Sequence, residues 1–416
     1  MRAEILSIGT EILVGSITNT NSQTIAQALA KEGIDVYHQV TVGDNIQRIV
    51  ECLENASQRS DIIVVSGGLG PTEDDVTYSA VAQFLKTPLH FHKPTYLYIL
   101  GRLKKRRLAM TRLIAKQCHV PSDSAVIKND QGTAPGVLHQ WQVNGRGKYI
   151  LVLPGPPREL IPMLDKALPL LIKMAAIKKT HFLLRSIKIA GLIEAQVAQK
   201  TTDLLKLKPP TTVGIYARQG EVELKIMCKA SSQKKAGLAA GAIERKIRQR
   251  FGSKVFGVDD ESLASALGKT LQKTKKTVSV AESCTGGLVG HLLTEVPGSS
   301  DYFLGGVVAY SNQIKVRELK VPLTLIQKYG AVSQEVAKKM ATNARELFKT
   351  DYAIGITGIA GPDGGSKEKP VGLVYIALTV GKKVTAKKYI FFGSRAEIKL
   401  SAAQTALNEL RLLLLK

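Results

Sequence analysis

Short apolar runs recur along this chain, separated by stretches in which apolar residues return every three to four positions, the pattern of strands alternating with helices. Ala3 to Gly9 reads as a buried strand ending in glycine, and Asn19 or Asn21 is placed to cap a helix running from Thr24 to Gly33. Asp35 to Val42 reads as a second strand and Ile46 to Ala56 as an amphipathic helix. Asp61 to Val65 is a continuous apolar run, as expected of a strand covered on both faces. Residues 95 to 117 read as one strongly basic helix, and Tyr149 to Leu153 as a further buried strand. This order predicts a three-layer α/β domain with a parallel sheet over residues 1–175.

The pattern then changes. Strands from Arg185 to Ala190, Thr212 to Ala217 and Glu221 to Lys229, with helices from Glu194 to Leu205 and Ala236 to Phe251, predict a small α+β module over residues 180–256. It carries no catalytic constellation, so a spacer or a dimerisation element is the preferred reading. A short acidic linker, Phe256 to Ser262, leads to a second α/β domain over residues 260–416. Its first helix (Leu263 to Lys273), the β-rich run Thr277 to Val280 and the buried strand Tyr352 to Ile356 repeat the alternation of the first domain.

Composition narrows the class. With 416 residues, 44% of them hydrophobic, and mean hydropathy +0.02, the chain can bury more than one core. It has no apolar run of about 18 residues and its start is strand-like, so a soluble, cytoplasmic protein without a membrane partner is expected. Four cysteines without a C-x-x-C pair and dispersed histidines, of which only His90 and His92 share a strand face, indicate neither a disulfide framework nor a zinc site. The net charge of +24 would attract nucleic acid or anionic substrates. Aromatics are only 5%, too sparse for a base-stacking surface, so nucleic acid is not the expected partner.

Candidate chemistry concentrates at strand ends. Ser66-Gly67-Gly68-Leu69-Gly70-Pro71-Thr72-Glu73-Asp74-Asp75 combines glycines that let backbone approach phosphates, a hydroxyl, and two carboxylates suited to Mg²⁺ or a base. Pro154-Gly155-Pro156-Pro157-Arg158-Glu159 pairs with it as the other lip of one crevice, with Arg158 holding a phosphate or a salt bridge. Lys116 and Gln117 end the basic segment, either on a solvated face or turned toward an anionic ligand. In the last domain Val280-Ala281-Glu282-Ser283-Cys284-Thr285-Gly286-Gly287 presents a hydroxyl and a thiol at a strand-to-helix turn. The helix that follows would aim the positive end of its dipole at a developing oxyanion. Thr357-Gly358-Ile359-Ala360-Gly361-Pro362-Asp363-Gly364-Gly365 is a second ligand-cradling loop in the same domain.

Residues 281–287, together with Tyr310-Ser311-Asn312, Gly330-Ala331-Val332-Ser333 and Ile359 to Gly365, resemble the nicotinamide-nucleotide amidase domain of the CinA family (competence/damage-inducible protein A). Ile8-Gly9-Thr10-Glu11, Ser66 to Thr72 and Leu153 to Pro157 are similar to that family's molybdopterin-binding-like domain, and the middle module to its KH-like insert. In the insert Gly191-Leu192-Ile193-Glu194-Ala195 stands where the family more usually has Gly-x-Gly-Glu-Ser.

The resemblance implies a homodimer that hydrolyses the carboxamide of nicotinamide mononucleotide without a cofactor. It also implies an N-terminal domain that cleaves ADP-ribose with a divalent metal and potassium. Ser283 corresponds to the nucleophile, and Lys315, with Tyr310 between, is placed to take its proton. Main-chain N–H groups of Thr285, Gly286 and Gly287 are candidates for the oxyanion hole, and Glu282 orients the amide or the turn. Thr357, Gly358 and Arg395 match positions that hold the nucleotide, Arg395 by bidentate contact with its phosphate. Cys284 is the rival nucleophile. For the N-terminal domain the substrate-binding set is Gly67, Gly68, Gly70, Thr72, Lys116, Gly155 and Arg158, with Asp74 and Asp75 for the metal. Two alternatives stand beside this: a nucleotide- or pterin-binding protein without turnover, and an interaction protein of DNA competence.

Overall fold

A computed structural model describes residues 1–143, 145–177 and 180–415. Lys416, the last residue of the third expected domain, lies outside the described residues. The chain packs as two compact units, Met1–Phe182 with Lys229–Ala236, and Leu183–Cys228 with Gly237–Lys416.

The first unit is built on a six-stranded sheet. Its order is Asp35–Val42, Arg2–Ile8, Ile62–Ser66, Arg146–Leu153, Gly136–Val143 and Ala125–Ile127. Successive side chains of a strand point to opposite faces. Ile62 and Val64 accordingly join one core with Leu160 and Leu164, while Ile63 and Val65 join the other with Ile49 and Val81. The first four strands are parallel, as the alternating pattern predicts, but the sheet is mixed. Gly136–Val143 and Ala125–Ile127 add two antiparallel strands at its edge. Ala125–Ile127 is only three residues long and Gly136–Val143 passes from buried to half-exposed along its length, with no helix between them, so the periodicity does not mark them.

Asn19 is the residue that caps the helix Thr20–Lys31, accepting from Ser22 N at 3.1 Å. The basic segment is two helices, Lys93–Lys105 and Arg112–Lys116, rather than one. Arg107, at φ 56, breaks the run. Thr111 restarts it by accepting from Ile114 N at 3.2 Å.

In the middle module His181–Ala190, Thr211–Arg218, Glu221–Ala230 and Val255–Val258 form a four-stranded sheet. Its hairpin turn rests on the C-terminal helix Arg395–Leu414. Gln219 Nε2 donates to Ser401 Oγ at 2.6 Å and to Glu397 O at 3.1 Å, and Arg411 donates to Ser253 O at 2.6 Å. The module is therefore packed against the last domain, which a spacer would not be.

The last domain has a five-stranded sheet in the order Phe303–Val308, Val278–Glu282, Tyr352–Gly358, Leu373–Val380 and Lys383–Ile390. Three parallel strands are followed by an antiparallel pair. Val280 and Ile354 point into a core with Leu267, Leu293 and Leu407, and Ala281 and Ala353 into another with Val336 and Met340. The helix Gln334–Phe348 lies so close to the sheet that a Cβ on Gly355 would stand 2.4 Å from Ala337 O.

Candidate active site

Val278–Glu282 is buried at every position and paired in parallel on both sides. Ser283 is thus delivered at the carboxyl end of a central strand, where its N–H donates to Ile356 O at 3.0 Å. The backbone then reverses through Gly286 (φ 64) and Gly287 (φ 94), left-handed conformations that glycine adopts without strain, and enters the helix Leu288–Thr294.

The short helix Asn312–Arg317 is capped by Ser311, which accepts from Ile314 N at 3.2 Å, and it carries Lys315 inward. Lys315 is only 2% exposed. Its Nζ lies 3.0 Å from Ser283 Oγ, 2.8 Å from Ala309 O and 3.2 Å from Tyr310 O. Burial draws the Lys315 ammonium below its ordinary value, opposed by the attraction of the neighbouring Cys284 sulfur. A neutral amine has two N–H bonds and one lone pair. Carbonyl oxygens can only accept, so in the neutral form the two N–H groups go to Ala309 and Tyr310 and the lone pair faces the Ser283 hydroxyl proton, whereas the ammonium donates to all three. Lysine therefore reaches serine directly, not through Tyr310.

Ser283, Cys284, Lys315, Thr357, Gly358, Tyr310 and Arg395 all line one cavity of about 170 Å³. Tyr310 forms its exposed side, with its hydroxyl accepting from Arg395 Nη2 at 2.8 Å. Arg395 opens the C-terminal helix, and its Nη1 donates to Gly361 O. Thr357 Oγ1 donates to Ala331 O at 2.8 Å, fixing the opposite wall.

Most of the remaining residues expected at this site have structural partners, whereas Thr285 Oγ1 is buried with none among the described residues. Glu282 orients the turn: its carboxylate, 1% exposed, accepts from Gly287 N, Val289 N and Gly290 N at 3.0, 3.1 and 2.8 Å. A carboxylate on a helix N-terminus is favourable there. Gly286 N donates to Ser283 O at 3.1 Å, so two of the three expected oxyanion donors are engaged inside the turn. Thr285 N and Cys284 N have no oxygen acceptor among the described residues, approach the Cys284 sulfur, and are the donors left. Burial pushes the Cys284 thiol up to about 12, which keeps it protonated and removes its advantage as a nucleophile. Asn312, Ala331, Val332 and Ala360 also line the cavity, although sequence reasoning gave them no role. All four stand in the quoted motifs, which was the available signal.

In the first unit a crevice of about 870 Å³ opens at the carboxyl ends of Arg2–Ile8, Ile62–Ser66 and Arg146–Leu153. Gly67, Gly68, Gly70, Thr72, Asp74, Asp75 and Gly155 line it. Asn21 Nδ2, on the helix Thr20–Lys31, ties down one lip by donating to Gly155 O at 2.6 Å. Lys116 and Arg158 do not line it. Lys116 Nζ instead holds the loop from outside, donating to Thr72 O at 2.9 Å, and Arg158 is an exposed side chain 4.0 Å from Glu159. Asp75 accepts from Thr72 N and Thr72 Oγ1 at 2.8 and 2.5 Å, and Asp44 accepts from Thr10 N and Oγ1 at 2.9 and 2.8 Å. Asp74 has no such partner among the described residues.

Known proteins share this whole plan. The family model of the CinA C-terminal domain matches residues 260–414, that of the probable molybdopterin binding domain residues 4–173, and that of the damage-inducible protein CinA KH domain residues 184–257. A CinA-like protein of Dictyoglomus thermophilum is 42% identical across 99% of this chain and 98% of its own. The chain belongs to the CinA family. A putative competence-damage inducible protein of Moorella thermoacetica is 45% identical, covering 98% of this CinA-family chain and 97% of its own. A crystal structure of a competence/damage inducible protein from Agrobacterium tumefaciens is 39% identical over 37% of this chain and 94% of its own, at TM-score 0.36.

No group of three or more His, Cys, Asp or Glu side chains converges to hold an ion among the described residues. The crevice carboxylates stand singly, and Asp75 is tied to its own loop. That set makes no closed cage. It fits Mg²⁺ arriving on phosphate oxygens, which needs only one or two carboxylates from the protein. No helix among the described residues is long and apolar enough to cross a membrane.

Proposed function

We propose that the C-terminal domain is an amidohydrolase acting on nicotinamide mononucleotide, with Ser283 as nucleophile and Lys315 as general base. The observation that carries this reading is the buried Lys315 amine 3.0 Å from Ser283 Oγ, with its other two partners restricted to accepting. Lys315 takes the Oγ proton as Oγ bonds to the carboxamide carbon. The C–N bond then breaks, the leaving nitrogen takes that proton and departs as ammonia, and an ester on Ser283 remains. Water attacks the ester, gives a proton to Lys315 and releases nicotinic acid mononucleotide as the proton returns to Oγ. Thr285 N and Cys284 N are the donors for the oxyanion. Arg395, at the first position of its helix, holds the 5′-phosphate with Tyr310 beside it, while Thr357 and Gly358 support the nucleotide.

For the N-terminal crevice we infer cleavage of the pyrophosphate of ADP-ribose. The glycine-lined lips cradle the phosphates, and Asp74 is the protein ligand for a divalent cation shared with them. The cation supplies charge neutralisation on the phosphates, and potassium is the second ion that family resemblance implies. The protein is inferred to act in the cytoplasm as a homodimer on small nucleotides. The deciding experiment measures ammonia release from nicotinamide mononucleotide by the wild-type chain and by Ser283→Ala. Release that disappears in the variant supports the reading, and a wild type that releases none refutes it.

A further inference from the structure

The C-terminal domain has a second cavity, of about 270 Å³, that no step above uses. Lys276, Arg345, Lys349, Thr350, Asp351 and Gly381 are among its walls. It lies at the other end of the sheet from Ser283: Lys276 stands before the amino end of Val278–Glu282, whose carboxyl end delivers Ser283, so the length of that strand separates the two. Arg345 is in the last turn of the helix Gln334–Phe348, and Lys349 follows it. Gly381 belongs to the turn between Leu373–Val380 and Lys383–Ile390.

Three cations and one carboxylate line this cavity. The carboxylate is already engaged: Asp351 pairs with Lys276 Nζ at 2.9 Å and accepts from Thr277 N and Oγ1 at 2.9 and 3.0 Å. Arg345 and Lys349 are therefore left without a carboxylate in the lining. Arg345 Nε is enclosed and unpartnered among the described residues, so it has no surface to offer, and Nη1 and Nη2 are the donors that remain for the cavity. A cation in a helix's last turn is favourable with no ligand at all. Here, however, Arg345 O already accepts from Lys349 N and, at 3.2 Å, from Thr350 N. Thr350 Oγ1 bonds Tyr352 O at 2.8 Å and Ser279 Oγ at 2.9 Å, which holds the floor without help from the charges. Two uncompensated positive charges beside a walled space suit a doubly charged anion. Arginine offers phosphate a planar pair of donors and lysine adds a point charge, while the volume leaves room for part of a molecule that carries the phosphate.

We propose that this cavity is an anion site, separate from the Ser283 cavity, that takes a phosphate dianion, either free or as the monoester of a small polar molecule. The full chain, labelled with ¹⁵N, is titrated with inorganic phosphate, ribose 5-phosphate and neutral ribose. Following the backbone amides of Thr350, Asp351 and Gly381 separates binding here from binding elsewhere in the chain. Both phosphates should shift these amides saturably, and ribose should not. Tighter binding of ribose 5-phosphate assigns the site to an esterified ligand, and equal binding assigns it to the free ion. Arg345→Gln should weaken binding at these amides about tenfold or more. Lys349→Asn should do the same, with an asparagine that suits the left-handed backbone there (φ 53). Lys339→Gln makes the same change of charge on the same helix but outside the cavity, and should stay within about twofold of wild type.

The same spectra report the fold of each variant, so weakened binding is read only from chains whose other amides stay in place. Amides that fail to move saturably with either phosphate overturn the proposal, and Arg345 and Lys349 then serve the helix end alone. Equal weakening by Lys339→Gln also overturns it, since the attraction would then belong to the net charge of the chain and not to this cavity.

Discussion

The Ser283 cavity and the Gly67 crevice both lie at strand ends behind glycine-rich loops, yet they use their polar groups in opposite ways. The first is about 170 Å³ and holds an assembled pair, a hydroxyl and a desolvated amine whose other hydrogen bonds leave its lone pair for that hydroxyl. The second is about 870 Å³ and two of its carboxylates are engaged in holding loops, Asp75 within its own loop on Thr72 and Asp44 across to Thr10 on another. A site that makes a covalent bond to its substrate must carry the reactive pair preformed. A site that works on phosphates can be a cradle whose chemistry arrives with the ligand's own ions.

The contrast is broken most severely at the assembled pair. Ser283→Ala and Lys315→Ala should each lower ammonia release from nicotinamide mononucleotide at least about a thousandfold, with the double variant little worse than either, as expected of residues that act as a unit. Independent, additive losses would dissolve the pair. Next in size is the pH response. Burial lowers the pKa of Lys315, and the neutral amine is the working form. Hence kcat/KM should fall about tenfold per unit as pH drops below that lowered value, and level off above it. A kcat/KM that shows no acid-side fall anywhere below the ordinary lysine value would contradict a lysine base.

The crevice should respond more mildly, and unequally. Asp74→Asn should slow Mg²⁺-dependent ADP-ribose cleavage by about tenfold or more, whereas Asp75→Asn, whose amide oxygen can still accept from Thr72, should stay within about threefold. Equal losses would mean that Asp75 leaves its loop to bind the ion. The smallest effect is expected at Cys284→Ala, whose amidase rate should remain within about threefold of wild type because the buried thiol is protonated.

The strands that end at these sites were legible because continuous apolar runs such as 61–65 and 352–356 are what a doubly covered strand requires. The glycine loops beyond them marked both sites. The antiparallel strands 125–127 and 136–143 were hidden, the first by its three-residue length and the second by side chains that face both core and solvent. Within the Ser283 turn, sequence offered serine and cysteine side by side, and the Lys315 contact to the one and the desolvation of the other's thiol separate their chemistry. Lys315 was reached through family resemblance, since it lies 32 positions beyond Ser283 and no local pattern links them. The carboxylates were misjudged most easily. Glu282 and Asp75 sit among candidate ligand-binding residues but spend their oxygens on backbone N–H groups, and composition cannot tell a capping carboxylate from a free one.

The central claim is a covalent ester on Ser283, and trapping it is the most direct test. The full chain mixed with nicotinamide mononucleotide, quenched in acid within the first turnovers and digested, should yield a peptide carrying the nicotinic acid mononucleotide acyl group on Ser283, absent from Ser283→Ala. The same acyl group on Cys284, or ammonia released with no acylated peptide under conditions that accumulate such intermediates, would contradict it.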